Sequence, residues 1–192
     1  MRDSGTGTFP IPPRGVSEPG DAWPRAVSAK AGATIADMQV LSMSTEVYLT
    51  RDEDETIALG QRLAAQWRPP VVVLLIGDLG AGKTTMAKGL TAGFGVDSSD
   101  VASPTYALIH EYGDPPAVYH IDLYRLDTLE EVETLGLDEI LAGGSAVIME
   151  WAERFPSLLP EERIEIRLTT IEDEVRRIEV NDLRGPRPES QS

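Results

Sequence analysis

The apolar run Val71-Val72-Val73-Leu74-Leu75-Ile76 passes without a break into Gly77-Asp78-Leu79-Gly80-Ala81-Gly82-Lys83-Thr84. An uninterrupted β-branched and aliphatic run suits a strand covered on both faces, as parallel-sheet strands are. The stretch after it matches G-x-x-x-x-G-K-[ST]. Beyond that, Met86, Leu90 and Phe94 follow at helical spacing, with Gly95 as a stop. A strand, a glycine loop and a helix N-terminus in direct succession form an anion cradle. Gly80 and Gly82 let backbone N–H groups turn inward, the helix dipole adds positive potential, and Lys83 supplies a point charge. Lysine occurs elsewhere only at Lys30 and Lys88. The pattern predicts a nucleoside triphosphate site, with the Thr84 hydroxyl on a magnesium ion that bridges the phosphates.

Charge narrows the partners. Lys and Arg total 17 against 32 Asp and Glu, a formal net charge of −15. Such a surface repels phosphate backbones, so no direct binding of DNA or RNA is expected without a local basic patch. The densest cationic spot, Arg176-Arg177, sits among acids. An acidic surface suits a soluble protein that docks on protein partners. Cysteine is absent, which excludes disulfides and thiolate-held metals and agrees with a cytoplasmic location. No apolar run approaches the roughly 20 residues of a membrane span, and the N-terminus lacks the apolar centre of a secretory leader.

With 192 residues there is room for one domain and a sizeable core. Residues 1–43 are rich in proline and glycine without periodicity and read as a disordered extension, or as an over-long start given Met38 and Met43. The domain is expected over 44–184 and a fraying polar tail over 185–192. Glu46 to Thr50 reads as the first strand. Asp52-Glu53-Asp54-Glu55 then opens a helix whose apolar stripe is Ile57, Leu63, Ala64 and Trp67, ended by Arg68-Pro69-Pro70. Strands are expected over 106–112 and 117–121, with Gly113-Asp114-Pro115-Pro116 turning between them. Short helices follow over 127–141, with Leu129, Val132, Leu135, Leu137 and Ile140 inward. Ala146-Val147-Ile148-Met149 is another buried strand. Residues 163–169 and 175–180 alternate around Ile171-Glu172-Asp173-Glu174 as a terminal hairpin. The result is a three-layer α/β domain of the P-loop NTPase kind, its sheet mostly parallel with antiparallel additions.

A triphosphate site needs a carboxylate at a strand end to hold the magnesium shell. Glu150 directly follows the strand 146–149 and fits that place. Trp151 beside it either covers the nucleotide or belongs to the core. In Tyr119-His120-Ile121-Asp122-Leu123-Tyr124-Arg125, Asp122 is the candidate for positioning metal or water, or else an ion-pair partner of Arg125. His120 reads as a packed histidine and Tyr124 as a core residue. Ser103-Pro104-Thr105 either offers a hydroxyl to magnesium or water, or is a capped proline turn.

Taken in order, Gly77-Asp78-Leu79-Gly80-Ala81-Gly82-Lys83-Thr84-Thr85, Ser103-Pro104-Thr105-Tyr106, Tyr119-His120-Ile121-Asp122-Leu123-Tyr124-Arg125-Leu126 and Met149-Glu150-Trp151-Ala152 resemble the bacterial TsaE (YjeE) family. The resemblance spans roughly residues 45–182. It implies an ATPase needed to form threonylcarbamoyladenosine in tRNA. The partners it implies are a TsaD–TsaB pair, with tRNA reached only through that complex. Carried over by residue, Gly80, Ala81, Gly82, Lys83, Thr84 and Thr85 would bind the phosphates of ATP, and Thr84 and Glu150 would hold Mg2+. Asp122, Lys83 and Glu150 would serve hydrolysis, and Trp151 would sit by the nucleotide, with Thr105 a further candidate there from the place of its loop rather than from the resemblance. The stretch 53–56, with Glu53, would lie near the adenine.

Three rivals keep a place. A small-molecule kinase also uses a phosphate loop followed by Thr-Thr, but it needs an acceptor pocket and an arginine-bearing lid, and the segment after the loop is acidic. A GTPase would need an Asn-Lys-x-Asp guanine reader, which the sequence lacks. An interaction module with a dead nucleotide site fits poorly with Thr84, Asp122 and Glu150 all present.

Overall fold

In the computed structural model, which describes residues 45–96, 108–115, 117–172 and 174–185, Val71–Ile76 is the central strand of a seven-stranded sheet. The elements in chain order are β1 Thr45–Thr50, α1 Glu53–Ala64, β2 Val71–Ile76, α2 Lys83–Gly93, β3 Ile109–Tyr112 and β4 Val118–Asp122. Then come α3 Leu129–Glu133, α4 Leu137–Leu141, β5 Ala146–Glu150, two 3₁₀ turns at Ala152–Arg154 and Pro156–Leu158, β6 Ile164–Glu172 and β7 Val175–Asp182. The sheet order is β1-β7-β6-β2-β5-β4-β3. β6, β2, β5 and β4 run parallel, whereas β3, β7 and β1 join antiparallel.

Alternation along β2 separates two cores. Val71, Val73 and Leu75 face Leu59 and Leu63 of α1, Met86 and Leu90 of α2, and Ile164, Ile166 and Ile178 from the hairpin strands. Leu74 and Ile76 face Ile121, Val132, Leu137, Met149 and Phe155 on the opposite side. Helices thus cover both faces, giving the three-layer α/β arrangement expected. Five of the six β2 residues are buried and Val72 is partly so, which is why β2 carries no polar side chain.

α1 and α2 approach each other through glycine. A Cβ at Gly89 would lie 2.3 Å from the Ile57 carbonyl oxygen, and one at Gly60 would lie 2.9 Å from Leu90 N. The buried stripe of α1 is therefore Thr56, Leu59, Gly60, Leu63 and Ala64. Ile57 is only half-buried, and Trp67 packs from beyond the helix end. A stripe drawn from bulky residues alone misses a seam made of small ones.

Two other inward assignments are corrected. Leu129 is exposed at the start of α3, which is fixed instead by a capping box between Thr128 and Glu131. Tyr124, expected in the core, is 48% exposed. Val132 and Leu137 are buried as expected, with Leu135 and Ile140 packed partly against them. The extension expected over 1–43 lies outside the described residues, as do Ser103, Pro104, Thr105 and most of the tail.

Candidate functional site

The loop between β2 and α2 is shaped by its glycines. Gly80 and Gly82 adopt φ of 82° and 98°, in the left-handed region that glycine takes without a Cβ penalty. Gly82 is the N-cap of α2 and offers no side-chain cap, and the first turn of α2 has no acid. The contrast with α1 is informative, because Asp52 caps α1 and Glu53, Asp54 and Glu55 fill its first turn. Three carboxylates neutralise the dipole of α1, whereas α2 keeps its amides and its positive potential for an anion. Lys83, 5% exposed, donates from Nζ to the carbonyls of Gly77 at 2.7 Å and Asp78 at 2.8 Å. Burial pushes its ammonium below the ordinary lysine range, and the charges of Glu150, Glu153, Asp122 and Asp78 oppose that shift.

Strand register delivers the acids to the same edge. Leu75 of β2 and Asp122 of β4 both lie opposite Glu150 of β5, so the carboxyl ends of three parallel strands meet beside the loop. Glu150 is buried, with both oxygens engaged. His120 Nε2 stands 2.9 Å from Oε1, and the Thr84 hydroxyl donates to Oε2 at 3.2 Å. His120 is packed, as expected, yet its ring fixes the orientation of the carboxylate. Asp122 Oδ1 accepts from Tyr124 N at 2.9 Å, and burial raises its carboxyl above the usual range, with the Glu150 charge adding to the rise.

A cavity of about 290 Å³ opens over this edge. Its lining includes Gly80, Gly82, Lys83, Thr84, Thr85, Asp122, Glu150 and Trp151, together with Glu53 from the start of α1. The volume lies near the lower end of the roughly 300–1,000 Å³ usual for small-ligand sites. Two expected residues face elsewhere. The Ala81 side chain is in the core, and Thr56 is buried against Thr50, with its hydroxyl also donating to the Asp52 carbonyl. Trp151 adopts φ 61°, the one positive-φ non-glycine among the described residues, a conformation that costs about 1–3 kcal/mol. It carries the indole to the cavity wall, 3.8 Å from Lys83 Nζ to the ring centroid.

Three lining residues escaped the sequence reading: Leu79, Tyr124 and Arg176. Tyr124 stacks at a tilt on Trp151, with ring centroids 5.0 Å apart. Arg176 comes from β7, and no local pattern ties it to the loop. Among the described residues no cluster of three or more His, Cys, Asp or Glu could hold a metal ion. The Thr84 hydroxyl and the Glu150 carboxylate are nevertheless adjacent hard oxygen donors, which suits magnesium shared with phosphate.

The model of the family described as threonylcarbamoyl adenosine biosynthesis protein TsaE matches residues 50–178. The chain belongs to the TsaE family. A Bacillus subtilis tRNA threonylcarbamoyladenosine biosynthesis protein TsaE is 42% identical over 132 residues, covering 68% of this chain and 82% of that protein. The TsaE protein of Treponema pallidum is 36% identical over 132 residues, 69% of this chain and 97% of the other. The crystal structure of Bacillus subtilis YdiB superposes with a TM-score of 0.60 at 33% identity, covering 73% of this chain and 87% of that one. The TsaE match runs from the last residue of β1 into β7, so the loop, Asp122, Glu150 and Arg176 all fall within it. Among the described residues no helix is long and apolar enough to cross a membrane.

Proposed function

We propose that this protein is a magnesium-dependent P-loop ATPase that serves threonylcarbamoyladenosine formation in tRNA and works with TsaD- and TsaB-type partners. The observation that carries the reading is the convergence of Lys83, the acid-free N-terminus of α2 and the Thr84–Glu150 contact on one cavity. Lys83 and the amides at Gly80, Gly82 and Thr85 take the phosphates. Thr84 and Glu150 hold magnesium, which when bound neutralises charge on the outer phosphates. Asp122, half-buried across from Glu150, orients the attacking water, and its raised pKa brings the carboxyl closer to accepting a proton at working pH. Trp151 and Glu53 flank the nucleotide. The relatives are named for tRNA threonylcarbamoyladenosine biosynthesis, which supports the pathway. The absence of cysteine supports a cytoplasmic setting, and the acidic charge supports a protein that meets tRNA through the complex rather than gripping it.

ATP turnover by the purified chain, alone and with a TsaD–TsaB pair from the same organism, tests this reading. Slow turnover that the pair stimulates, and that Lys83→Ala abolishes, is the expected result. Turnover unchanged by the pair, with phosphate passing to a small acceptor, would overturn it in favour of a kinase.

A further inference from the structure

The hairpin of β6 and β7 reaches past the end of β2. β6 is parallel to β2 with Arg167 opposite Ile76, the last residue of β2, so Leu168 onward projects beyond the strand that carries the phosphate loop. β7 returns along that projection, with Arg176 opposite Thr170 on one side and Thr50 on the other. The hairpin therefore flanks the loop closely. A Cβ at Gly77 would lie 2.4 Å from the Leu168 carbonyl oxygen. A Cβ at Gly82 would lie 2.8 Å from Arg176 Nε and 3.1 Å from its Cδ.

The Arg176 guanidinium is held in part and free in part. One terminal nitrogen donates to the Glu174 carbonyl at 2.8 Å, which fixes the plane of the group. Nε is shielded from solvent and has no hydrogen-bond partner among the described residues. A charged group with a donor shielded from water and left without an acceptor is costly, and the negative charge of an anion beside this guanidinium would offset part of that cost. Charge points the same way. Among the described residues the cavity lining contains three carboxylates, Glu53, Asp122 and Glu150, and two cations, Lys83 and Arg176. A polyphosphate entering that field needs more than the lysine, and a planar guanidinium supplies directed donors where lysine supplies a point charge.

We propose that Arg176 is a second cationic ligand for the phosphate chain of the nucleotide, delivered across the loop by the C-terminal hairpin. This rests on the reading of the cavity as a nucleoside triphosphate site. Lys83 reaches the phosphates from within the loop, and Arg176 closes on them from the β7 side. The hairpin is thereby part of the binding site as well as of the sheet, and it explains why position 82 excludes a side chain on two counts, backbone angle and arginine stem.

Calorimetric titration of the full chain with ATP, ADP and adenosine, in the presence of magnesium, tests the proposal. Arg176→Ala is expected to weaken ATP and ADP by roughly ten- to a hundred-fold, the effect of losing a charge-assisted hydrogen bond, and to leave adenosine unaffected. Arg176→Lys should restore part of the loss. Arg177→Ala, at a neighbour paired instead with Glu179 at 2.8 Å, should bind like the parent. Should the alanine variant fail to fold, Arg176→Met keeps the aliphatic stem over Gly82 and carries the same expectation. Parental affinity for ATP and ADP in a folded Arg176 variant overturns the proposal alone. An equal loss for adenosine overturns it too, because the arginine then holds the nucleoside. A parent chain that binds neither nucleotide overturns the nucleotide reading together with it.

Discussion

Glu150 and Asp122 sit opposite each other in the sheet yet occupy different electrostatic situations. Glu150 is held on both oxygens, by His120 and by Thr84, so its carboxylate has one orientation. Glu150→Gln keeps the shape and can hydrogen-bond to both neighbours, so the melting temperature should change little. The magnesium needed for half-maximal nucleotide binding should rise about tenfold or more, measured by titration at fixed nucleotide. Asp122 has its carboxyl raised by burial above the ordinary 3.8, with the Glu150 charge adding to the rise. The folded chain then binds more protons than the unfolded chain between the two values. This contribution to stability is thus present below the ordinary value and is lost as pH rises through the raised one. Asp122→Asn removes the loss. Without nucleotide, the variant should melt above the parent at pH 7, with the gap closing toward about pH 4. A gap that is constant across pH would assign the effect to packing.

At the scale of elements, the sequence was most legible where structure is local. The β2–loop–α2 unit follows from contiguous residues, because strand, glycines and helix start are neighbours in the chain. The terminal hairpin was equally readable, because alternation and turn acids lie within one short stretch. The α1–α2 seam was not, since Gly60 and Gly89 have no apolar side chain to register in a periodicity. Their value lies in letting two backbones touch. Gly89→Ala should therefore destabilise the fold despite alanine's better helix propensity, which is worth about 1 kcal/mol. Overpacking against the Ile57 carbonyl, 2.3 Å from the added carbon, should exceed that gain and leave a net loss of about 1–2 kcal/mol in chemical denaturation. Tyr124 and Arg176 were hidden for a different reason. Each reaches the cavity through strand register and overhang, which depend on pairings between distant segments.

Over the whole molecule, the candidate-site residues gather at the carboxyl ends of β2, β4 and β5, in a chain whose formal net charge is −15. On the proposed reading, local positive potential at α2 and Arg176 would serve a small anion, whereas the densest cationic spot of the sequence, Arg176-Arg177, is too short for the extended basic track that a nucleic-acid backbone needs. The isolated chain should accordingly show negligible tRNA binding by filter assay even at low salt. Nanomolar binding with a steep salt slope would contradict this. A sheet built from parallel strands in its centre and antiparallel ones at both margins also explains how chain segments from α1 to β7 reach a single cavity.

The strained backbone at Trp151 has an optical consequence. Its indole lies against the Lys83 ammonium, the charge that, on the proposed reading, a phosphate in the loop would engage. Tryptophan emission responds to a cation at the ring face, so drawing the ammonium toward phosphate should change the fluorescence of this residue. Replacing Trp23 and Trp67 with phenylalanine would leave a chain with one tryptophan, at the wall of the cavity, excited selectively on the red side of tyrosine absorption. Its intensity should follow nucleotide occupancy in a stirred cuvette, with no label attached.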